Sequence, residues 1–407
     1  DMMYMFYESI EFNQNIYGWC VTNITSEPSL FAYNNPYLKL SSTIMPQWGS
    51  CPSSNNVVTI PFEDIDYSIY EVQFINENLG FATAGRKLVK TLDGGNSWSV
   101  VFSSPKSVNP EISEVLFLNQ SVGFINNDEV LLKTLNGGHT YKEVYDFKRN
   151  IADINFHNGT LIISTSSSRS KVSLYEEDDG EANAGMIVNS TITISNDEGD
   201  SFNTYNFYDS NNANCNKGSR ICDAHGHFST LIKDNILFMD MGSHGVHWIV
   251  KFDLSTNDLE DFVYNDNRQS FLESRMIIQV PGISGGIRIK TYSVAGNKTY
   301  AFGHPSNRQF DRDNGFIYSV DNGRNWIYKS FGKYDDITFF SSYFSHSNIG
   351  YIVGESGHFL KTTDGGENWT KIDLGTYKNI YDIEKINDQE LILVGEDGFI
   401  HKYNIGN

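Results

Sequence analysis

The residues best suited to chemistry gather early in the second half of the chain. Cys222-Asp223-Ala224-His225-Gly226-His227 is followed by His244-Gly245-Val246-His247. If residues 223–227 are extended, Asp223, His225 and His227 share one face, because side chains alternate along a strand. Imidazoles with a carboxylate are a donor set for a divalent metal ion. The plainer reading is a surface hairpin carrying loop histidines, and the sequence favours it. Asp311-Arg312-Asp313-Asn314-Gly315 has the composition of a calcium loop, but its spacing departs from the EF-hand, and an acidic turn explains it. No firm cofactor is expected, with a divalent metal ion as the weak exception.

Four cysteines are present, and none has C-x2-C spacing. Cys215 and Cys222 bracket a short polar loop that a disulfide would close. Cys20 and Cys51 fall within one repeat unit and form a second candidate pair; buried free thiols are the alternative. An even count divided this way points to an oxidising compartment. The 50 Asp and Glu include no local motif that singles out a catalytic pair. No catalytic residue is therefore assigned.

Internal repetition is the strongest signal. One element reads S/T-x-D/N-x-G-x-x-aromatic and occurs five times. Its turn acid or amide, glycine and aromatic are Asp93, Gly95 and Trp98; Asn136, Gly138 and Tyr141; Asp197, Gly199 and Phe202; Asp321, Gly323 and Trp326; and Asp364, Gly366 and Trp369. The Asp or Asn accepts hydrogen bonds from nearby backbone N–H groups, and the glycine supplies a positive φ. The aromatic ring then opens the next strand and is buried between units. Such turns are structural rather than catalytic.

A second element, Phe then five residues then Gly and an aromatic, begins at Phe12, Phe74, Phe117 and Phe344. Asp93 to Asn136 and Asp321 to Asp364 are both 43 residues. That length suits four short antiparallel strands, one blade of a propeller. Asn136 to Asp197 is 61 residues, which places an insertion in one blade at the acidic stretch 175–185. Units starting near Phe12, Phe74, Phe117, Ile154, Phe228, Ile289, Phe344 and Ile383 make eight by count. The expected blades are 7–62, 70–106, 111–147, 150–208, 220–263, 286–332, 337–374 and 380–407. The last has only three strands, and Met2–Tyr7 is the strand expected to complete it and close the ring.

Composition agrees with strands and turns: 23 Tyr, 27 Phe and 34 Gly against 9 Pro. A formal net charge of −20 repels nucleic acid and anionic lipid, so neither is an expected partner. No stretch approaches the roughly 20 apolar residues of a membrane-spanning helix. The chain opens at Asp1, as a mature or trimmed product would.

The strings FINENLGFATAGRKLVKTLDGGNSW (74–98) and SHSNIGYIVGESGHFLKTTDGGENW (345–369) resemble BNR/Asp-box propellers, especially bacterial photosystem II assembly factor-like members of the sialidase superfamily. The resemblance is strongest over 70–148 and 315–403 and weak over 205–290. It implies an all-β fold: a single propeller of four-stranded antiparallel blades over 1–407 with Asp-box turns, seven or eight blades in number, the unit count favouring eight. It also raises sialidase chemistry, which needs an arginine triad on the substrate carboxylate. This chain has ten Arg, and the early Arg-Ile-Pro signature is absent; Arg288-Ile289-Lys290 comes late and lacks the Pro.

The expectation is a non-catalytic propeller outside the cytoplasm (secreted, periplasmic or cell-surface) that binds a protein or glycan through one face. The alternatives are a glycoside hydrolase, sialidase-like or with two carboxylates, and a structural subunit of a surface assembly. Segments 170–188, 205–227, 240–247 and 264–288 interrupt the repeat and are expected to carry specificity.

Overall fold

Short runs of Val, Ile, Phe and Tyr broken by Gly- and Asn-containing turns fold as antiparallel meanders. The computed structural model describes residues 2–10, 21–35, 45–46, 48–49, 67–104, 111–148, 150–165, 191–206, 225–243, 246–254, 277–278, 287–305, 315–323, 325–334 and 337–405. Among these, six four-stranded sheets lie within 72–103, 115–146, 151–206, 225–278, 287–330 and 339–372, and a three-stranded sheet spans 380–404. In every sheet, neighbouring strands follow one another in the chain and pair antiparallel.

The innermost strands are Val72–Phe74, Val115–Phe117, Ile151–His157, His225–Lys233, Ile287–Ala295, Phe339–Phe344 and Ile380–Asn387. Each contacts the next, and the last contacts the first, so the sheets close into a ring. The apolar core lies between sheets rather than within any one of them. Phe81, Leu88, Phe117 and Ile125 join the first two sheets, with Phe81 and Phe117 stacked at 3.5 Å. Val72, Val89 and Trp98 meet Ile392 and Val394 of the three-stranded sheet across the closure.

The second sequence element has a steric cause. Phe74 pairs with Gly80, and Phe117 with Gly123, across their first two strands. A Cβ on Gly80 would lie 2.9 Å from the Phe74 ring, and one on Gly123 2.6 Å from Phe117. Each Phe lies over its glycine, which any other residue would push away.

Two expectations are corrected. The described residues form six complete four-stranded blades with a three-stranded sheet, not seven or eight four-stranded blades. Met2–Tyr7 does not complete that last sheet. It is a chain of turns, with Met5 N–H donating to Met2 O and Tyr7 N–H to Tyr4 O, and with Tyr4 at φ 60°. These local bonds occupy backbone groups that strand pairing would need. The described residues of 21–35 are turns and coil as well, so the unit expected over 7–62 has no described strand, and Phe12 itself lies outside the described residues.

Candidate functional site

The five repeated turns come first, because they orient everything else. In each, a Ser or Thr hydroxyl donates to the Asp or Asn side chain two residues on and accepts the N–H of the glycine four residues on. Thr91 Oγ1 bonds Asp93 Oδ1 at 2.8 Å and receives Gly95 N–H at 2.9 Å. Thr134, Ser195, Ser319 and Thr362 repeat this with Asn136 and Gly138, Asp197 and Gly199, Asp321 and Gly323, and Asp364 and Gly366. The turn acid or amide also accepts the N–H four residues further on, from Ser97, Thr140, Ser201, Asn325 and Asn368.

These bonds favour the ionised form of Asp93, Asp197 and Asp364. The Ser201 hydroxyl, first among the causes, lowers Asp197 to about 2. The Ser97 hydroxyl lowers Asp93, and the Asn368 N–H lowers Asp364. With φ between 72° and 93°, the five glycines lie in the left-handed region. A Cβ on Gly138 would meet Leu88 of the preceding sheet at 3.0 Å, and one on Gly199 would meet Phe124 at 2.9 Å. Trp98, Tyr141, Phe202, Trp326 and Trp369 all pack into clusters between sheets. The carboxylate oxygens are therefore engaged within their own turns.

Carboxylates whose neutral form is favoured lie elsewhere, in or at the start of the innermost strands around the axis. Asp382 Oδ2 accepts Val72 N–H at 3.0 Å, and Glu71 Oε2 accepts Val115 N–H at 2.5 Å. Asp153 Oδ2 accepts both the N–H and the hydroxyl of Thr230 at 2.7 Å. Each carboxylate thus holds the innermost strand of the adjoining sheet, and Ser341 Oγ completes the step to Asp382 at 2.7 Å. The acids keep some surface at the axis, yet protein surrounds them closely enough that loss of solvent dominates. Desolvation raises Glu71 and Glu114 well above the usual carboxylate range, Glu384 to about 8 and Asp153 to about 6; it raises Asp382 as well. Neighbouring carboxylates add to the rise at Glu71, Glu114 and Glu384.

These axial acids are not apparent from the local motifs. A signal exists nonetheless: Glu71-Val72, Glu114-Val115, Asp153-Ile154 and Asp382-Ile383 repeat an acid followed by a branched aliphatic, in or at the start of four innermost strands.

The histidine cluster is only partly described. His225 and His227 lie on the strand His225–Lys233, where they pair with Gly242 and Asp240. His247 pairs with Gly242 from the other side, so the backbones of 225 and 247 flank the same residue. Asp223 and His244 lie outside the described residues, as do Cys20, Cys51, Cys215 and Cys222. No group of three metal-ligating side chains occurs among the described residues.

Two sets of connections define opposite faces. Gly94 N–H bonds Asn78 O, and Gly137 N–H bonds Ser121 O, which puts the repeated turns beside the first-to-second-strand connections. On the other face, Ile112 N–H bonds Gly85 O, and Ile69 N–H bonds Gly395 O. Aromatic residues collect there where innermost strands begin. Tyr381 lies 5.1 Å from Tyr70 and 5.4 Å from Phe340, with Tyr67 and Tyr70 exposed.

A closed ring of antiparallel meanders, each with its first strand at the axis, defines the chain as a β-propeller. Solved structures share this architecture. YCF48 bound to a D1 peptide is 14% identical with a TM-score of 0.56, over 86% of this chain and 96% of that one. YCF48 from Cyanidioschyzon merolae is 12% identical with a TM-score of 0.56, over 86% and 98%. An ancestral GH74 enzyme is 13% identical with a TM-score of 0.52, over 86% of this chain and 48% of its own length. At such identities the likeness concerns fold alone. No family profile and no curated protein matches the sequence. Among the described residues no helix is long and apolar enough to cross a membrane.

Proposed function

We propose that this chain is a non-catalytic scaffold that binds a protein or glycan partner through the face opposite the repeated turns. The observation that carries this reading is the aromatic rim of Tyr67, Tyr70, Phe340 and Tyr381 on a closed ring of sheets. Aromatic side chains that stay exposed on a rigid frame contribute binding area at small conformational cost. The engagement of Glu71, Asp153 and Asp382 with backbone N–H groups of adjoining sheets supports a structural role for the axial acids. The five turns are, in this reading, Asp boxes of the BNR type. The D1 peptide named with YCF48 supports a protein segment as the partner class.

The compartment belongs to the same proposal: the even cysteine count favours an extracytoplasmic site. Intact mass under non-reducing conditions, with and without thiol alkylation, tests it; four alkylated cysteines would count against it. For the function itself, a panel of chromogenic glycosides with and without chelator is expected to give no turnover. Sustained turnover would replace the scaffold with a glycoside hydrolase. Tyr70→Ala is expected to weaken capture of the physiological partner with the melting temperature unchanged.

A further inference from the structure

Among the described residues, the largest concentration of exposed apolar side chains lies outside the ring sheets. Of the fifteen described large hydrophobic residues with exposed surface, seven fall between Met3 and Tyr33: Met3, Tyr4, Met5, Tyr7, Ile10, Leu30 and Tyr33. They sit on a folded frame. Phe6 N–H donates to Phe31 O at 2.8 Å, Glu8 N–H to Tyr33 O at 2.7 Å, and Asn35 Nδ2 to Ser9 O at 2.7 Å. Beneath, Phe31 is fully buried, with Phe6 and Trp48 edge-on at 5.3 and 5.0 Å. Tyr377 packs against this small core from the connection between the sixth and seventh sheets. That connection also accepts Gly357 N–H at Lys378 O, from the second-to-third-strand connection of the sixth sheet, so the segment rests on the face opposite the repeated turns.

The outward surface has a defined chemistry. Tyr7 and Tyr33 stack with centroids 5.3 Å apart and planes 13° apart, and Tyr4 meets Tyr7 edge-on at 5.6 Å. A stacked phenol pair offers a flat, electron-rich surface, which suits a guanidinium or an ammonium. Glu8 adjoins Tyr7, and its charge is the first cause of the raised Tyr7 phenol. The first 38 residues contain Asp1, Glu8, Glu11 and Glu27 and no Lys or Arg. A patch that is aromatic and methionine-rich, with Glu8 beside its tyrosines and the nearby Lys378 paired to Asp397, selects against nucleic acid and anionic lipid.

From this charge complementarity we propose that the Tyr4–Tyr7–Tyr33 surface docks an extended, arginine- or lysine-bearing segment of a partner protein. The proposal rests on the reading of the chain as a non-catalytic binding propeller and locates one contact. Arg side chains stack on the tyrosines while Glu8 pairs with the charge, and Met3 and Met5 adapt to the neighbouring apolar side chains.

Fluorescence anisotropy with two labelled peptides tests it on the full chain, one alternating Arg with Ser and the other Glu with Ser. The Arg peptide is expected to bind with an affinity that falls as salt rises, and the Glu peptide not to bind. Tyr7→Ala and Tyr33→Ala should each weaken binding about five-fold, and Glu8→Lys more than about ten-fold, with circular dichroism and melting unchanged. Equal binding of both peptides, or an Arg-peptide affinity unmoved by all three variants, overturns the proposal. So does self-association that the same variants abolish, which would make a second copy the occupant. If Tyr70→Ala abolishes binding while Tyr7→Ala does not, this docking site falls and the binding function stands. Glycoside turnover would overturn the function instead, and would leave the peptide affinities as measured.

Discussion

Two titratable residues, His401 in the core and the half-buried Glu384 at the axis, make opposite demands on pH. His401 is 5% exposed and its Nδ1 has no hydrogen-bond partner, so burial lowers it from 6.5 to about 4. The folded state keeps this imidazole neutral. Its contribution is therefore complete above pH 6.5 and is lost as pH falls toward 4, when the unfolded chain takes a proton that the folded one refuses. His401→Leu is expected to lose less stability than the parent between pH 7 and 4.5, by up to about 3 kcal/mol; parallel urea-midpoint curves for the two proteins would sink the assignment. Glu384 works the other way. Burial lifts it from 4.5 to about 8, so the fold favours its neutral form. That contribution is complete below pH 4.5 and is lost as pH rises through about 8. Glu384→Gln stays neutral, so its melting temperature should match the parent near pH 5 and exceed it near pH 9. A constant offset across that range would show that charge at Glu384 has no such effect.

At the scale of the element, the repeated turn is the most legible part of the molecule. The Thr91 hydroxyl receives Gly95 N–H and Asp93 N–H while donating to Asp93, all within five residues, so the motif is complete in the local sequence. Thr91→Val keeps the shape and strands the buried Gly95 N–H. The expected cost is about 1–3 kcal/mol in chemical unfolding, whereas Leu92→Ser, at a position 72% exposed, should cost little. Equal losses would remove the hydroxyl from its place in the turn. What lies between turns is less legible, because it pairs residues distant in sequence. Lys90 Nζ reaches Gly137 O at 3.4 Å, Lys133 pairs with Asp200 at 3.2 Å, and Lys402 reaches Asn96 Oδ1 at 3.2 Å. In each case a lysine on the third strand of one sheet holds the turn of the next. An isolated lysine carries no such mark, since a solvated side chain and an inter-sheet clasp have the same sequence. Met2–Tyr7 shows the complementary difficulty. Its aromatic and methionine side chains suit a strand, and only the bond from Phe6 to Phe31, with that from the adjoining Glu8 to Tyr33, shows that it folds onto a different partner.

For the whole molecule, the decisive feature is where the ring closes. Glu71 and Val115 are 44 residues apart, but Asp382 and Val72 are 310 apart. The same acid-to-amide step is thus repeated between neighbours in sequence and once between the two ends of the sheet array. The last sheet has three strands, and no described segment supplies a fourth. Closure rests on contacts between sheets: Asp382 to Val72, Ile69 N–H to Gly395 O, Lys402 to Asn96, and the cluster of Val72, Trp98, Ile392 and Val394. Asp382 occupies the centre of this seam, because Oδ1 also accepts the Ser341 hydroxyl and Ile383 N–H. Asp382→Ala removes acceptors for three donors at once and leaves Val72 N–H without its partner. A loss of about 2–4 kcal/mol follows from unmade buried hydrogen bonds. It should also be unevenly distributed: in hydrogen exchange, amides of 69–74 and 392–395 should lose protection first, while those of the second sheet, 115–146, keep theirs. Loss spread evenly over all sheets would mean that the ring unfolds as one unit and that Asp382 does not govern its closure.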